Sequence, residues 1–158
     1  MTDAALLIPQ YGFDDWRDAL RTREPRALEL AYALALVLPA SDETNALKEM
    51  TRAANDAAAF EIARDVRELL GYAVEKYEAL TRGDFERVDA GNQNVLAFER
   101  RWNDERLLIV NNLARVSQPC KFSAYAGKEG WDILNRVEFI FPARAQLDAY
   151  EFLWLLVD

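Results

Sequence analysis

The chain has 158 residues, of which 51% are apolar and 29% are charged, a composition typical of globular rather than disordered proteins. A domain of this length buries about 68–70% of its unfolded surface, so neither a disulfide nor a metal is needed for stability. The formal net charge of −8 argues against a nucleic-acid surface, because lysine and arginine bind the phosphate backbone.

Two residue counts restrict the chemistry further. The absence of histidine removes histidine general bases, Ser-His and Cys-His nucleophile pairs, and the commonest metal ligand. Cys120 is the single cysteine, which excludes an internal disulfide and a cysteine metal cluster. We therefore expect no metal and no cofactor, while carboxylate, lysine and tyrosine chemistry stay open.

Targeting signals are weak in this sequence. The opening "MTDAALLIPQ" lacks the basic start and long apolar core of a signal peptide. The longest uncharged, mostly apolar run, at residues 30–41, is shorter than the ~18 residues that a membrane span needs. We expect a soluble, cytoplasmic protein that does not contact a membrane.

The first half of the chain has helical patterns. "DDWRDALRTRE" predicts one helix, and "EPRALELAYALALVL" predicts a second that is apolar almost all round and therefore buried, between Pro25 in its first turn and Pro39. A third helix is expected at about residues 43–54. The fourth is the longest, with apolar residues at three- and four-residue steps from Phe60 to Leu80 and Gly83 as its C-cap.

After Gly83 the hydrophobic period changes from helical to two. Strands are predicted in "DFERVDA", "VLAFERRW", "RLLIVNNL", "CKFSAY", "WDILNR", "VEFIF" and "AYEFLWLLVD", with a turn at "AGNQN" and a hairpin at "NDE". In the last strand Tyr150, Phe152, Trp154 and Leu156 point to one face, and Leu153, Leu155 and Val157 point to the other. Residues 107–110, "LLIV", are also apolar on both faces.

Strands that are apolar on both faces need cover on both sides. The available covers are a second sheet and the N-terminal helices. The predicted fold class is therefore α+β, with a helical segment of about four helices at residues 1–83. This segment packs on an antiparallel β-sandwich of six to eight strands at residues 84–158.

An ordered set of motifs connects this sequence with a known family. "LLGYAVEKYEALTRGDFERVDAGNQNVLAFERRWNDERLLIVNNLARVSQP", at residues 69–119, resembles the last barrel helix and the start of the C-terminal β-domain in the α-amylase superfamily. The trehalose synthase and maltogenic amylase group is the most similar branch. "AYEFLWLLVD" is similar to the final aromatic strand of the family, and "RALELAYALALVLP" to the barrel helix before the last barrel strand.

The departures from the family pattern bear on activity. The family uses an aspartate nucleophile, a glutamate acid/base, a stabilising aspartate and sugar-binding histidines, and none of these motifs occurs in the 158 residues. "ASDETNALKEMTRAAND" stands where the family has a glycine-rich barrel strand, and it has a helical pattern. The resemblance implies an amylase C-domain-like sandwich covered by the last barrel helices, without the catalytic barrel, and it supplies no catalytic residue.

Three aromatic residues beside turns are candidates for stacking on sugar rings: Trp102, Tyr125 and Trp131. The alternative, favoured by the frequency of aromatic residues in cores, is that they close the ends of the sandwich. Carboxylate pairs such as Asp14 with Asp18 and Asp104 with Glu105 could share acid and base work, but 27 acids make such neighbours inevitable.

Three further polar or reactive residues have structural explanations. Asn111 and Asn112 follow a buried strand, where amides commonly anchor a neighbouring turn, although a ligand is an alternative. Cys120 is expected to be a small core residue. The apolar "LLIPQYGF" packs either on its own domain or on a partner, and the surface that faces the barrel in the family is covered either by the chain's own helices or by a second chain.

The functional expectation is a non-catalytic, amylase C-domain-like protein that binds an α-glucan or another oligosaccharide. This ligand class comes from the resemblance alone. The alternative is a protein-interaction or structural module, with a protein partner or as a homodimer, and no sugar ligand. A third hypothesis is a carboxylate- or tyrosine-based enzyme with a pocket between the helices and the sheet.

Overall fold

A computed structural model describes residues 24–40, 44–45, 47–49, 52 and 64–158. The helices are α1 (Pro25–Val37), α2 (Arg64–Lys76) and α3 (Ala79–Arg82), and residues 44–45, 47–49 and 52 are also helical. The strands are β1 (Asp84–Val88), β2 (Val95–Trp102), β3 (Glu105–Asn112), β4 (Gln118–Lys121), β5 (Glu129–Asp132), β6 (Val137–Ile140), β7 (Arg144–Leu147) and β8 (Phe152–Val157). The helix predicted in "DDWRDALRTRE", the segment "LLIPQYGF" and the start of the fourth helix lie outside the described residues.

Helix α1 has the boundaries that its sequence predicts. The side chain of Glu24 accepts a hydrogen bond from the backbone N–H of Ala27 at 2.9 Å, and Pro25 occupies the first turn, where its missing N–H costs nothing. The helix ends at Val37, two residues before Pro39. Eight of its thirteen residues are buried, which confirms the prediction of a buried helix.

The predicted fourth helix is divided in two. Helix α2 ends at Lys76 and α3 begins at Ala79, so the prediction of one continuous helix up to Gly83 is wrong. The carboxylate of Glu105 explains the new start, because its Oε1 accepts a hydrogen bond from the backbone N–H of Ala79 at 3.0 Å. The break thus ties the helical layer to the beginning of β3.

Gly83 is the C-cap of α3, as predicted, but not through a left-handed backbone. Its φ is −68°, which any residue adopts. A Cβ at this position would lie 2.5 Å from the carbonyl oxygen of Ala79 and 2.7 Å from that of Arg101. Glycine is required here because β2 passes against the end of the helix.

The strands form two antiparallel sheets. One has six strands in the order β1-β2-β3-β8-β5-β6, and the other pairs β4 with β7. The eight strands agree with the predicted range, and the hairpin at "NDE" is a two-residue turn between Trp102 and Glu105. The "AGNQN" turn is held by Asn92, whose Nδ2 donates to the Gln118 side chain and the Pro119 carbonyl.

The large sheet is buried on both faces. One face packs against the helices, and the other packs against the small sheet and its loops. The core on the helix side includes Leu107, Ile109, Tyr150 and Trp154, with Phe152 and Leu156 packed against it. The core on the opposite side includes Leu108, Val110, Leu155 and Val157, with Leu153 packed against it. The predicted facing of the last strand is confirmed.

Two buried polar side chains fix the relative position of these layers. On the helix side, Nη1 of Arg100 donates to the carbonyl oxygen of Val37 at 2.9 Å, which places a cation at the C-terminal end of α1. At the end of β3, Nδ2 of Asn112 donates to the carbonyls of Val116 and Asp148, and its Oδ1 accepts from the N–H of Ala114. Asn112 therefore anchors turns, as predicted.

Asn111 has a related structural role. It is completely buried, and its Nδ2 donates to the carbonyl of Leu96 on β2 at 3.0 Å. Its Oδ1 has no hydrogen-bond partner among the residues that the structure describes. The side chain braces the neighbouring strand rather than facing a groove, so the structural interpretation fits both asparagines.

A buried carboxylate lies on the opposite face of the large sheet. Glu99 is 3% exposed and accepts hydrogen bonds from Nη2 of Arg101 at 2.7 Å and from Nε of Arg106. Burial alone would raise the pKa of Glu99, but the hydrogen bonds and charges of Arg106 and Arg101 outweigh it and hold the pKa below its ordinary value of 4.5. The charged form of Glu99 is therefore stabilised by folding.

Replacing this carboxylate should make stability less sensitive to acid. Glu99→Gln keeps the shape but loses the charge, so we expect about 1–3 kcal/mol less free energy of unfolding at pH 7. A lowered folded-state pKa contributes stability above the unfolded value, so the difference from wild type should shrink as the pH falls below about 4.5. Urea unfolding at pH 7 and pH 3.5 measures this difference in the free energy of unfolding, and Glu75→Gln, at an exposed position, is the control. A difference independent of pH would contradict this account.

Candidate functional site: a groove at the edge of the large sheet

The three aromatic residues that the sequence suggested as sugar-stacking candidates differ in their exposure to solvent. Tyr125 is 2% exposed, Trp102 is half-buried, and Trp131 is 37% exposed. Among the described residues, Tyr72 on α2 is the other aromatic side chain with a large exposed fraction, at 51%. The three predicted residues do not converge on one site, and they do not form a row of exposed rings.

The nomination of Tyr125 as an exposed sugar platform is wrong. Its ring stacks on Phe141 with centroids 5.3 Å apart, and the Arg106 guanidinium lies over it at 5.3 Å. Burial, followed by the charge of Glu99, raises the pKa of Tyr125 to about 12. The residue closes the sandwich beside the buried ion network, which is the alternative that the sequence left open.

Trp102 also belongs to the packing of the domain. It lies at the end of β2, directly opposite Glu105 in the hairpin, and packs against the helix-side core. Its indole Nε1 is buried and has no hydrogen-bond partner within the described ranges. A ring in this position supports the helical layer and offers little free surface to a ligand.

Trp131 lines a surface groove of about 250 Å³ at the β5–β6 edge of the large sheet. In the register of this pair Trp131 lies opposite Glu138, and Glu129 lies opposite Ile140. Because paired residues share a face and alternate residues return to it, these four side chains project from the same side. The remaining lining residues are Gly130, Phe139 and Asp158.

The groove stands on a rigid support. Gly130 allows β8 to approach, since a Cβ there would lie 2.4 Å from the carbonyl oxygen of Leu156 and 2.9 Å from the Phe141 ring. Behind β6, the rings of Phe139 and Phe141 meet edge to face with centroids 5.0 Å apart. Asp132 closes the hairpin turn by accepting hydrogen bonds from the N–H groups of Leu134 and Asn135.

The charged side chains that the structure describes in this groove are all carboxylates. Glu129, Glu138 and Asp158 line it, and no basic residue lines it in the part of the chain that the structure describes. Their place in the sequence does not single them out, because Glu129 and Glu138 are nine positions apart in the chain. The sequence does contain a usable pattern in "EGWDILNRVE". In a hairpin, alternate residues of each strand share a face, so assigning the turn places both glutamates on the same face as Trp131. The carboxylates can accept hydrogen bonds, and the indole ring can stack on an apolar face.

The other nominated side chains are structural where the structure describes them. Glu105 accepts the hydrogen bond that begins α3, while Asp14 and Asp18 lie outside the described residues. Cys120 is 1% exposed, and burial raises the pKa of its thiol, which makes it a core residue as predicted. Within the described part of the chain, no three carboxylates or thiols are grouped as metal ligands.

Two carboxyl groups outside this groove have pKa values above their ordinary value. Burial is the main cause for both Glu29 on α1 and Glu151 before β8, and Arg26 opposes the shift in each case. Neither residue lines the Trp131 groove. Among the described helices, none is long and apolar enough to cross a membrane.

Comparison with known proteins agrees with this architecture. The family model described as the C-terminal domain of maltogenic amylase matches residues 85–154. No curated protein sequence matches the chain. The family match thus covers the strands from the start of β1 to the middle of β8.

Solved structures give the same result for the fold. An α-amylase from Anoxybacillus superimposes with a TM-score of 0.60 and 20% identity, over 90% of this chain and 35% of that one. The trehalulose synthase MutB from Pseudomonas mesoacidophila MX-45 gives a TM-score of 0.50 and 17% identity, over 59% and 17%. A variant of AmyP in complex with maltotriose gives a TM-score of 0.50 and 14% identity, over 75% and 22%.

The chain spans about a third of the length of the Anoxybacillus enzyme. Identities of 14–20% establish a shared fold and leave activity open. The family match lies on the C-terminal domain, and the superposition with the Anoxybacillus enzyme extends over most of the chain. The chain thus resembles the C-terminal part of α-amylase family enzymes, and its β-domain has the fold of the maltogenic amylase C-terminal domain.

Proposed function

We propose that this chain is a non-catalytic, amylase C-domain-like module that binds an oligosaccharide in the Trp131 groove. The observation that carries the proposal is the exposed indole ring of Trp131 directly opposite a glutamate. Sugar rings present an apolar C–H face and a polar rim of hydroxyls. An exposed indole stacks on the first, and carboxylates accept hydrogen bonds from the second.

The class of sugar follows from the relatives. AmyP was solved with maltotriose, and the family matched by the β-domain is that of maltogenic amylases. An α-linked glucose oligomer is therefore the first ligand to test. The groove of about 250 Å³ is open at the surface and suits part of one chain rather than an enclosed monosaccharide.

The test is calorimetric titration of the chain with maltotriose. We expect saturable binding in the wild type and a dissociation constant roughly two- to tenfold higher for Trp131→Ala, because stacking on one aromatic ring is worth about 0.5–1.5 kcal/mol. Tyr72→Ala removes another exposed aromatic side chain outside the groove and should bind as the wild type does. Circular dichroism checks that both variants are folded.

Two results would count against the proposal. Absence of binding at millimolar maltotriose and millimolar trehalose in the wild type would remove the sugar function. Unchanged binding by Trp131→Ala would place a sugar site elsewhere on the chain.

A second candidate function is protein interaction without a sugar ligand, and β6 supplies the observation that favours it. This strand is at the edge of the six-stranded sheet, and Val137 and Ile140 are 51% and 67% exposed on its two faces. Edge strands with exposed apolar residues are typical sites for pairing with another chain. We consider a second copy of this chain as the partner.

Light scattering at micromolar concentration tests the homodimer. If β6 mediates it, the wild type should have twice the mass of the chain, and Ile140→Lys should restore the monomer, because a charge on the edge opposes pairing. A monomeric wild type would eliminate this candidate.

A further inference from the structure

The charge of the groove restricts its ligand more than the indole ring does. Three carboxylates line a single opening, and none of the described residues that line it is basic. The cations nearest in sequence are engaged or positioned elsewhere: Arg136 lies over the Tyr72 ring at 5.2 Å, and Lys128 is not among the lining residues. A ligand in this groove therefore meets the negative field of these carboxylates.

The aromatic residue reinforces that preference. The face of an indole ring carries negative electrostatic potential and attracts cations, and tryptophan does so best among the aromatic residues. The β5–β6 register sets Trp131 opposite Glu138, with Glu129 two residues away on the same face. A ring and two carboxylates on one face match a group that is both apolar and positively charged.

We infer that the groove selects a saccharide that carries a protonated amino group over its neutral counterpart, and that it rejects anionic sugars. This inference rests on the proposed sugar-binding function and specifies its ligand class by charge complementarity. A hexosamine satisfies the site because its ring stacks on Trp131 while its ammonium group lies among the carboxylates of Glu129 and Glu138. A uronic acid or a sugar phosphate would bring a further negative charge into the same opening.

The test compares trisaccharides that differ in charge. The ligands are the trimer of glucosamine, the same trimer in its N-acetylated form, and maltotriose, titrated at pH 6 and low ionic strength. We expect the glucosamine trimer to bind at least about tenfold more tightly than the two neutral trimers. In 1 M salt the preference should largely disappear, because the screening length falls to about 3 Å.

Variants locate the effect in the groove. Glu138→Gln and Glu129→Gln should each lower affinity for the glucosamine trimer by roughly threefold or more beyond any loss of maltotriose affinity, because glutamine keeps a hydrogen-bond acceptor for hydroxyls but carries no charge. Glu75→Gln, which removes one exposed carboxylate on α2 outside the groove, is the matched control and should keep the full preference. Trp131→Ala should weaken all three sugars.

The outcomes separate this inference from the proposed function. Equal binding of all three trimers would overturn the charge preference and leave the sugar module standing. A preference that survives both glutamine variants, or a lysine tripeptide that binds as tightly as the glucosamine trimer, would show general attraction to an acidic surface and overturn the inference. Absence of binding by every trisaccharide would overturn both proposals.

Discussion

The structure depends on one constraint, which is that the central strands β3 and β8 are apolar on both faces. Ile109 and Trp154 face the helices, while Leu108 and Leu155 face the small sheet, and all four are at most 1% exposed. A sheet of this kind cannot leave either face in water, since each large apolar side chain gains about 1.5–3 kcal/mol from full burial. Helix α1, buried along most of its surface, has the same requirement. The sheet and the helical layer therefore supply each other's cover.

Polar side chains determine how the layers are aligned. Arg100 joins β2 to the end of α1, and Glu105 joins β3 to the beginning of α3. Both bonds satisfy backbone groups that a helix end leaves without a partner. The groove follows from this alignment: α3 packs on β2 and β3, while Trp131 at the β5–β6 edge keeps more than a third of its surface open.

Features of the fold that depend on residues close together in the chain could be predicted from the sequence, whereas features that depend on distant contacts could not. The buried helix α1, the hairpin at Asn103 and the two-faced last strand rest on patterns within about fifteen residues, and all three are confirmed. The break before Ala79 was not predicted, because it depends on Glu105, which is distant in sequence. Strand β7 was also missed, since a four-residue strand with only Leu147 buried shows almost no alternation.

The site was less predictable than the fold for a related reason. Tyr125 and Trp131 both lie beside turns, and nothing in their immediate sequence distinguishes the buried ring from the exposed one. Their burial depends on contacts with other strands: Phe141 covers Tyr125, whereas Trp131 projects at the edge of the sheet. The carboxylates of the groove come together only through the β5–β6 register.

The central claim is that the helices and the β-sandwich form one cooperative core, and thermal unfolding of Leu34→Ala tests it most directly. Leu34 is completely buried in α1, and its truncation should cost about 2–5 kcal/mol. In a shared core, the helical far-ultraviolet signal and the near-ultraviolet signal of the packed tryptophans should shift together to one lower midpoint. A near-ultraviolet transition that stays at the wild-type midpoint while the helical signal melts earlier would contradict the account.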